Sequence, residues 1–282
     1  MSAGRISWPP EAPVWTFLWE VADVDSEGIA FRDVFYRGKK VLHKASLPMI
    51  RVHYNSGDGP YKDQLSAGNM RNFKIYEGTN PAYRFLVVES YHEIGRYRIV
   101  NRWIFRSDGI ILPQLHSAGL QHPATHQHHV YHRFDFDIVG ASSNLALQKA
   151  NTATDWGYGP GWIPRVNEIA TIHIGPNVWA VIRKGTGTGY LIERGPFDGA
   201  SDFFSRLDVC VTAYHGPEDR KGRLETPSDD QLLTHVNGEN IDGTDVVLWY
   251  CAHLQHDAHD SGDEWHVCGP ILRPFGYQSL TS

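Results

Sequence analysis

Of the chain's 282 residues only three are cysteine, Cys210, Cys251 and Cys268, an odd set with no CxxC spacing. That excludes a disulfide framework and suits reduced thiols. No stretch approaches the roughly 20 consecutive apolar residues of a membrane helix. The opening "MSAGRISWPPEAPVW" has no apolar run behind a basic start, so a soluble, cytoplasmic protein with no membrane partner is expected. Basic residues are not in excess, with 26 Lys and Arg against 32 Asp and Glu, and they are scattered. A nucleic-acid footprint is therefore missing. Helical periodicity is scarce, and there is no internal repeat, low-complexity tract or long Pro/Ser linker. The glycine-rich "KGTGTGYLIERG" lacks the GK[ST] ending of a phosphate loop and runs into a strand.

What is present is apolar alternation with a period near two. With 41% hydrophobic and 12% aromatic residues the chain can bury a full core. The segment "GIAFRDVFYRGKKVLHKASLPMIRVHY" alternates around a hairpin turn at "RGKK", and "YRFLVVESYHEIGRYRIVNRWIFRSDGIIL" continues with a turn at "SDG". Later strands are expected in "HHVYHRFDFDIVG", "EIATIHIG", "VWAVIRKG", "GYLIERG", "LDVCVTAYHG" and "DVVLWYCAHLQH", with one short helix in "DGASDFFSRL". Loops are expected at 55–70, 150–165 and 216–243. The reading is one all-β domain over residues 1–282, a large antiparallel β-sandwich.

Histidine is the compositional oddity, at sixteen residues, and "THQHHVYHRFDFD" holds four of them with two aspartates. In a strand, successive side chains point to opposite faces. His126, His128 and His132 then share a face with Val130, Phe134 and Phe136, while Gln127, His129, Tyr131, Arg133, Asp135 and Asp137 share the other. A His-x-His pair offers two imidazoles to a borderline metal such as copper or zinc. The carboxylates suit a hard cation such as Ca²⁺. Parity in "DVVLWYCAHLQH" likewise sends Asp245 and His256 to opposite faces. Solvated or hydrogen-bonded histidines are the plain alternative.

These residues resemble the copper amine oxidases, specifically their C-terminal catalytic domain. "HQHHVYHRFDFDIVG" is similar to that family's HxH-x4-R-[LVF]-D-x-D-[IV]-x-G strand, and "GTDVVLWYCAHLQH" to its G-x-D-[VI]-V-x-W-Y-x5-H strand. Upstream, the segment ending in "VHY" resembles the run through "YRASL" to "VVPY", and "RLDVCVTAYHG" resembles "WVTPY". The resemblance touches most of residues 14–275, in the right order. It implies a copper site at His126, His128 and His256. It also implies a Ca²⁺-type site at Asp135, Asp137 and Asp245 with the carbonyls of Phe136 and Val246, and a homodimer. The smaller domains that precede the catalytic domain in the family are not expected here.

The departures bear on activity. The family oxidises a tyrosine in T-x-x-N-Y-[DE] to topaquinone. The matching stretch here is "EIGRYR", with Tyr97 at the tyrosine, Glu93 for Thr, Arg96 for Asn and Arg98 for the acid. Tyr97 also alternates with Ile99, Trp103 and Phe105, as a core tyrosine would. The family's base, an Asp after the tyrosine that Tyr54 matches, falls on Ser66, with Asp63 as the nearby substitute. Where the family has Trp and then Met after the last ligand, "EWHVCG" gives Trp265 and Cys268. His253, His259 and His266 are alternative ligands. Three functions follow: a minimal amine oxidase that oxidises a primary amine with O2; a copper enzyme without topaquinone, in which Arg96 and Arg98 steer a natural-product-like substrate through another oxidation or a Lewis-acid-assisted cyclisation; and a non-catalytic relic.

Overall fold

The computed structural model describes residues 2–21, 27–54, 56–172, 178–216 and 231–277. Among them there is no α-helix, and one turn of 3₁₀ helix spans Gln231–Thr234. No helix among the described residues is long and apolar enough to cross a membrane. Two antiparallel sheets carry the chain. The nine-stranded sheet runs Ser2–Trp8, Trp15–Val21, Ile29–Tyr36, Lys39–Tyr54, His126–Phe136, Val246–His256, Leu207–Ala213 and Ile169–Ile172, with Tyr61–Asp63 paired to Lys39–Tyr54. The ten-stranded sheet runs Trp162–Arg165, Asn144–Lys149, Trp179–Arg183, Thr188–Glu193, Ile271–Phe275, Ile111–Ala118, Tyr97–Arg106, Arg84–Ile94 and Met70–Thr79, with Trp265–Cys268 paired to Ile111–Ala118.

Burial follows from the sequence pattern strand by strand. Tyr97–Arg106 alternates buried and half-buried residues along its whole length, as expected of a strand with one wet face. Its inward set, Tyr97, Ile99, Trp103 and Phe105, meets Trp15, Phe17, Phe31 and Phe134 of the other sheet. Ring centroids there lie 4.5 Å apart for Phe17–Phe105 and 5.0 Å for Phe31–Trp103. Each such ring contributes about 1.5–3 kcal/mol by leaving water. The central strands of the nine-stranded sheet differ: His126–Phe136 and Val246–His256 are buried on both faces. A second apolar cluster, with Met49, Tyr131, Trp249 and Leu232 of the 3₁₀ turn, covers their outer side.

The hairpin at "RGKK" forms with Arg37 and Gly38 both at positive φ, 49° and 73°, the pair of values that matches strand twist. Several expectations need correction. "DGASDFFSRL" is not helical. The carboxylate of Asp202 accepts hydrogen bonds from the amides of Phe204 and Ser205, and Gly199 donates to the His253 carbonyl, so local and cross-strand partners replace the helical ones. Short strands occur inside two expected loops, at Tyr61–Asp63 and Trp162–Arg165. Residues 173–175 of "EIATIHIG" and 217–230 of the expected loop at 216–243 lie outside the described residues.

Candidate active site

One end of the sandwich collects strand termini from both sheets. Tyr54 ends its strand, His126 begins the next, and His256 ends the one after; His126 pairs directly with both, so the three stand in a row across the sheet. The facing sheet supplies Tyr97 at the start of its strand and Ser117 near the end of the neighbouring one. Beside Tyr97, Gly119 has φ near +96°, and a Cβ there would sit 2.2 Å from the Arg96 carbonyl oxygen. Any larger residue would push the Tyr97 backbone away.

Hydrogen bonding orders the groups. His126 Nδ1 lies 2.7 Å from the Ala124 carbonyl, which can only accept, so Nδ1 carries the proton and Nε2 offers its lone pair. The Tyr97 hydroxyl, 2.8 Å away, donates to that Nε2. Tyr54 then donates to the Tyr97 oxygen at 2.7 Å. His128 Nε2 lies 3.1 Å from His126 Nε2. The His256 ring stacks on His126 at 5.5 Å and 16°, and its Nε2 lies 3.1 Å from Ser117 Oγ. Its Nδ1 has no hydrogen-bond partner and faces Asp260 at 3.4 Å.

Burial sets the protonation states. It drives His126 below, and His128 well below, the ordinary histidine value, and takes His256 to about 4. All three are therefore neutral, the form in which imidazole binds a metal, and nitrogen donors are of the type copper takes; their ligand atoms do not, however, all lie within 4.8 Å of one another, as those of His256, Asp260 and His266 do. The rings stand 5.1–5.5 Å apart by centroid. His256 has a second set of neighbours, since its ring and His266 both reach Asp260, with His266 Nε2 2.9 Å from the carboxylate. His259 is exposed. His253 points to the opposite face, where it meets His129.

Between Tyr54 and Tyr97 opens a cleft of about 280 Å³, lined among others by Tyr61, Asp63, Ile94 and Gln121. Asp63 is brought there because Tyr61–Asp63 pairs with Ile50–Val52. Burial raises its carboxyl to about 6. Its Oδ2 has no hydrogen-bond partner and lies 3.9 Å from His128 Nδ1, which has none either. Ser66 is not part of the lining; its amide donates to Asn69 in a local turn. Arg96 is exposed and also outside the lining. Arg98 pairs with Asp263 at 3.0 Å, donates to the Gly262 carbonyl and stacks over Trp265, turned away from the cleft. Glu93 pairs with Arg71. Cys268 is packed in the main core, and burial pushes its thiol well up, so it stays neutral.

At the other end of the same strand Asp135, Asp137 and Asp245 bring carboxylate oxygens within 4.8 Å of one another. Burial and then the charge of Asp137 raise Asp245 to about 6. Lys40 reaches Asp137 at 2.7 Å and Arg133 reaches Asp135 at 3.6 Å. Phe136 and Val246 are direct register partners beside them. Three oxygen donors so close suit a hard cation.

No family model and no curated protein matches the sequence. Solved structures do match the fold. A copper-containing benzylamine oxidase from Hansenula polymorpha superposes with a TM-score of 0.73 and 16% identity over 96% of this chain and 59% of its own. The lysyl oxidase of Pichia pastoris gives 0.70 and 15% over 94% and 52%. An amine oxidase of Aspergillus nidulans gives 0.67 and 16% over 94% and 51%. This chain thus spans about half to three-fifths of the length of those proteins. Identities this low show a fold alone, and that fold is an antiparallel β-sandwich shared with part of these amine oxidases.

Proposed function

We propose that the chain is a copper-dependent oxidoreductase of amine-oxidase type, acting on a small molecule, a primary amine first among candidates, in the cleft beside Tyr97. One observation carries this reading: the Tyr97 hydroxyl stands 2.8 Å from the Nε2 of a buried, neutral His126, with a buried carboxyl, Asp63, on the wall of the same cleft. Copper bound by His126, His128 and His256 supplies redox chemistry with O2 at that spot. Tyr54 and His126 hold the phenol from two sides, and burial keeps it protonated. Asp63, at about 6, is charged at neutral pH yet more basic than an ordinary carboxylate, which is what proton removal from a bound substrate carbon requires. The cleft is compact, so the substrate is compact. The acidic cluster at Asp135, Asp137 and Asp245 is assigned to a Ca²⁺-type ion with a structural role.

The test is a visible spectrum of metal-free protein after copper is added in air, followed by phenylhydrazine. A blue-green band that converts to an intense hydrazone band, both lost in Tyr97→Phe, supports conversion of Tyr97 to a quinone. Copper binding with weak d–d absorption and no hydrazone overturns the amine-oxidase reading. That result turns the search to copper chemistry without an organic cofactor.

A further inference from the structure

Behind the sheet, on the face opposite the cleft, the same two strands build a second cluster of metal-ligating type. His129 and His253 are direct register partners, and Cys251 stands one pleat along from His253 on the same side. All three are buried, at 0%, 2% and 3% exposure. The two Nδ1 atoms lie 2.8 Å apart, and the Cys251 sulfur lies within 4.8 Å of the histidine ligand atoms.

The outer nitrogens decide what the inner ones can do. His253 Nε2 faces Asp208 Oδ1 at 3.1 Å, and His129 Nε2 faces Asp202 Oδ2 at 3.3 Å. The Asp208 carboxylate accepts the His253 Nε2 proton, which leaves that ring's lone pair on Nδ1, turned toward His129 Nδ1 at 2.8 Å. Without a metal one proton lies between the two Nδ1 atoms, and a bound cation takes its place. A carboxylate behind each histidine is the second-shell pattern that orients imidazole toward a metal and supplies compensating charge. Asp202 is itself fixed by the amides of Phe204 and Ser205, and its loop is tied to the strand by Gly199 N–H to the His253 carbonyl at 2.6 Å.

We propose that His129, His253 and Cys251 form a second metal site, for a thiophilic divalent cation of the zinc type, with Asp202 and Asp208 as its positioning residues. Two imidazoles and a thiolate are a donor set for tetrahedral Zn²⁺, the fourth position falling to water or a carboxylate. Binding releases the thiol proton and any proton held between the histidines, and no electron is transferred. The site stands whether or not the copper reading does, because it uses neither His126, His128 nor His256.

The two sites differ in one readable respect: this one has sulfur. Metal-free protein titrated with Co²⁺ is expected to develop a near-ultraviolet thiolate-to-cobalt charge-transfer band, with the amplitude of a single cobalt–thiolate bond and removed by Zn²⁺. Cys251→Ser and His253→Gln should abolish the band. Cys268→Ser and His256→Ala should keep it, since an all-nitrogen site gives no such band. Asp208→Asn should retain the band and weaken Co²⁺ binding by roughly 10- to 100-fold. Absence of the band in the unmutated protein overturns the proposal outright, even if a Cys251 variant fails to fold. Persistence of the band in Cys251→Ser or His253→Gln overturns it equally.

Discussion

The two ends of the space between the sheets are lined by the same strands and filled in opposite ways. At one end Phe134 meets Trp103, which belongs with Phe31, Phe105 and Trp15 to a stack of rings bordered by His132 and Tyr36. At the other, His126 and His128 of the same strand face Tyr97, Tyr54 and Asp63. Pleating is identical at both; only the residue types on the even positions change. The aromatic end makes the docking of the sheets rigid, and that rigidity lets buried polar groups at the other end keep hydrogen-bond distances they could not hold on a loop.

The contrast can be broken from either side. Trp103→Ala, at the centre of the aromatic end, is expected to lower unfolding free energy by about 3–5 kcal/mol in denaturant titration. Asp63→Asn acts at the polar end and should leave the fold intact while lowering the proposed amine turnover by about 10²–10⁴-fold. It should also remove the limb of the rate profile near pH 6. The same variant has a stability signature. Because the folded value, about 6, lies above the unfolded one, 3.8, the wild type loses stability as pH rises from about 4 to about 6, and Asp63→Asn should not. Tyr97→Phe removes a hydroxyl bonded to Tyr54 and His126, with an expected cost of about 1–3 kcal/mol by thermal unfolding.

The mildest change sits at the boundary between the two ends. His132 is fully buried, neither ring nitrogen has a hydrogen-bond partner, and it lies parallel to Phe134 with centroids 6.2 Å apart. His132→Phe is expected to stabilise the protein by about 1 kcal/mol, since it removes a desolvated polar group without opening a cavity. Burial lowers His132 to about 3, and takes His92 and His116 to about 4. The unfolded chain takes up these protons near pH 6.5, so stability is full above that pH and falls as pH drops towards 3 to 4. Melting temperatures between pH 7 and 4 should decline less steeply in His132→Phe, by up to one proton, about 1.4 kcal/mol per pH unit.

Legibility in the sequence followed the range of the forces involved. The two faces of His126–Phe136, the row of inward rings on Tyr97–Arg106 and the hairpin at Arg37–Gly38 depend on residues close in the chain, and local alternation and turn chemistry reveal them. The Met70–Thr79 strand is not legible locally, because it is exposed at most positions and shows no alternation of burial. That Asp63 and not Ser66 lines the cleft depends on three residues pairing across to Ile50–Val52, which no local pattern announces. His253 was readable. Its parity in Val246–His256 sets it apart from His256 and puts it with Cys251, and the parity of His129 puts that residue on the face of Asp135, so the second cluster has a local signal in both strands.

The row formed by Tyr54, His126 and His256 has a consequence for how the molecule is made. Its members belong to strands far apart in sequence, and the groups that complete it, Tyr97 and Ser117, arrive from the opposing sheet. Contacts of such sequence separation form late, after the chain has met the cost of closing long loops. The three histidines stand on two neighbouring strands of one sheet, whereas the phenol of Tyr97 and the hydroxyl of Ser117 reach them only once the second sheet has docked. The hydrogen bond from Tyr97 to His126 is therefore a marker of the last folding event, and its loss reports how often the two sheets part.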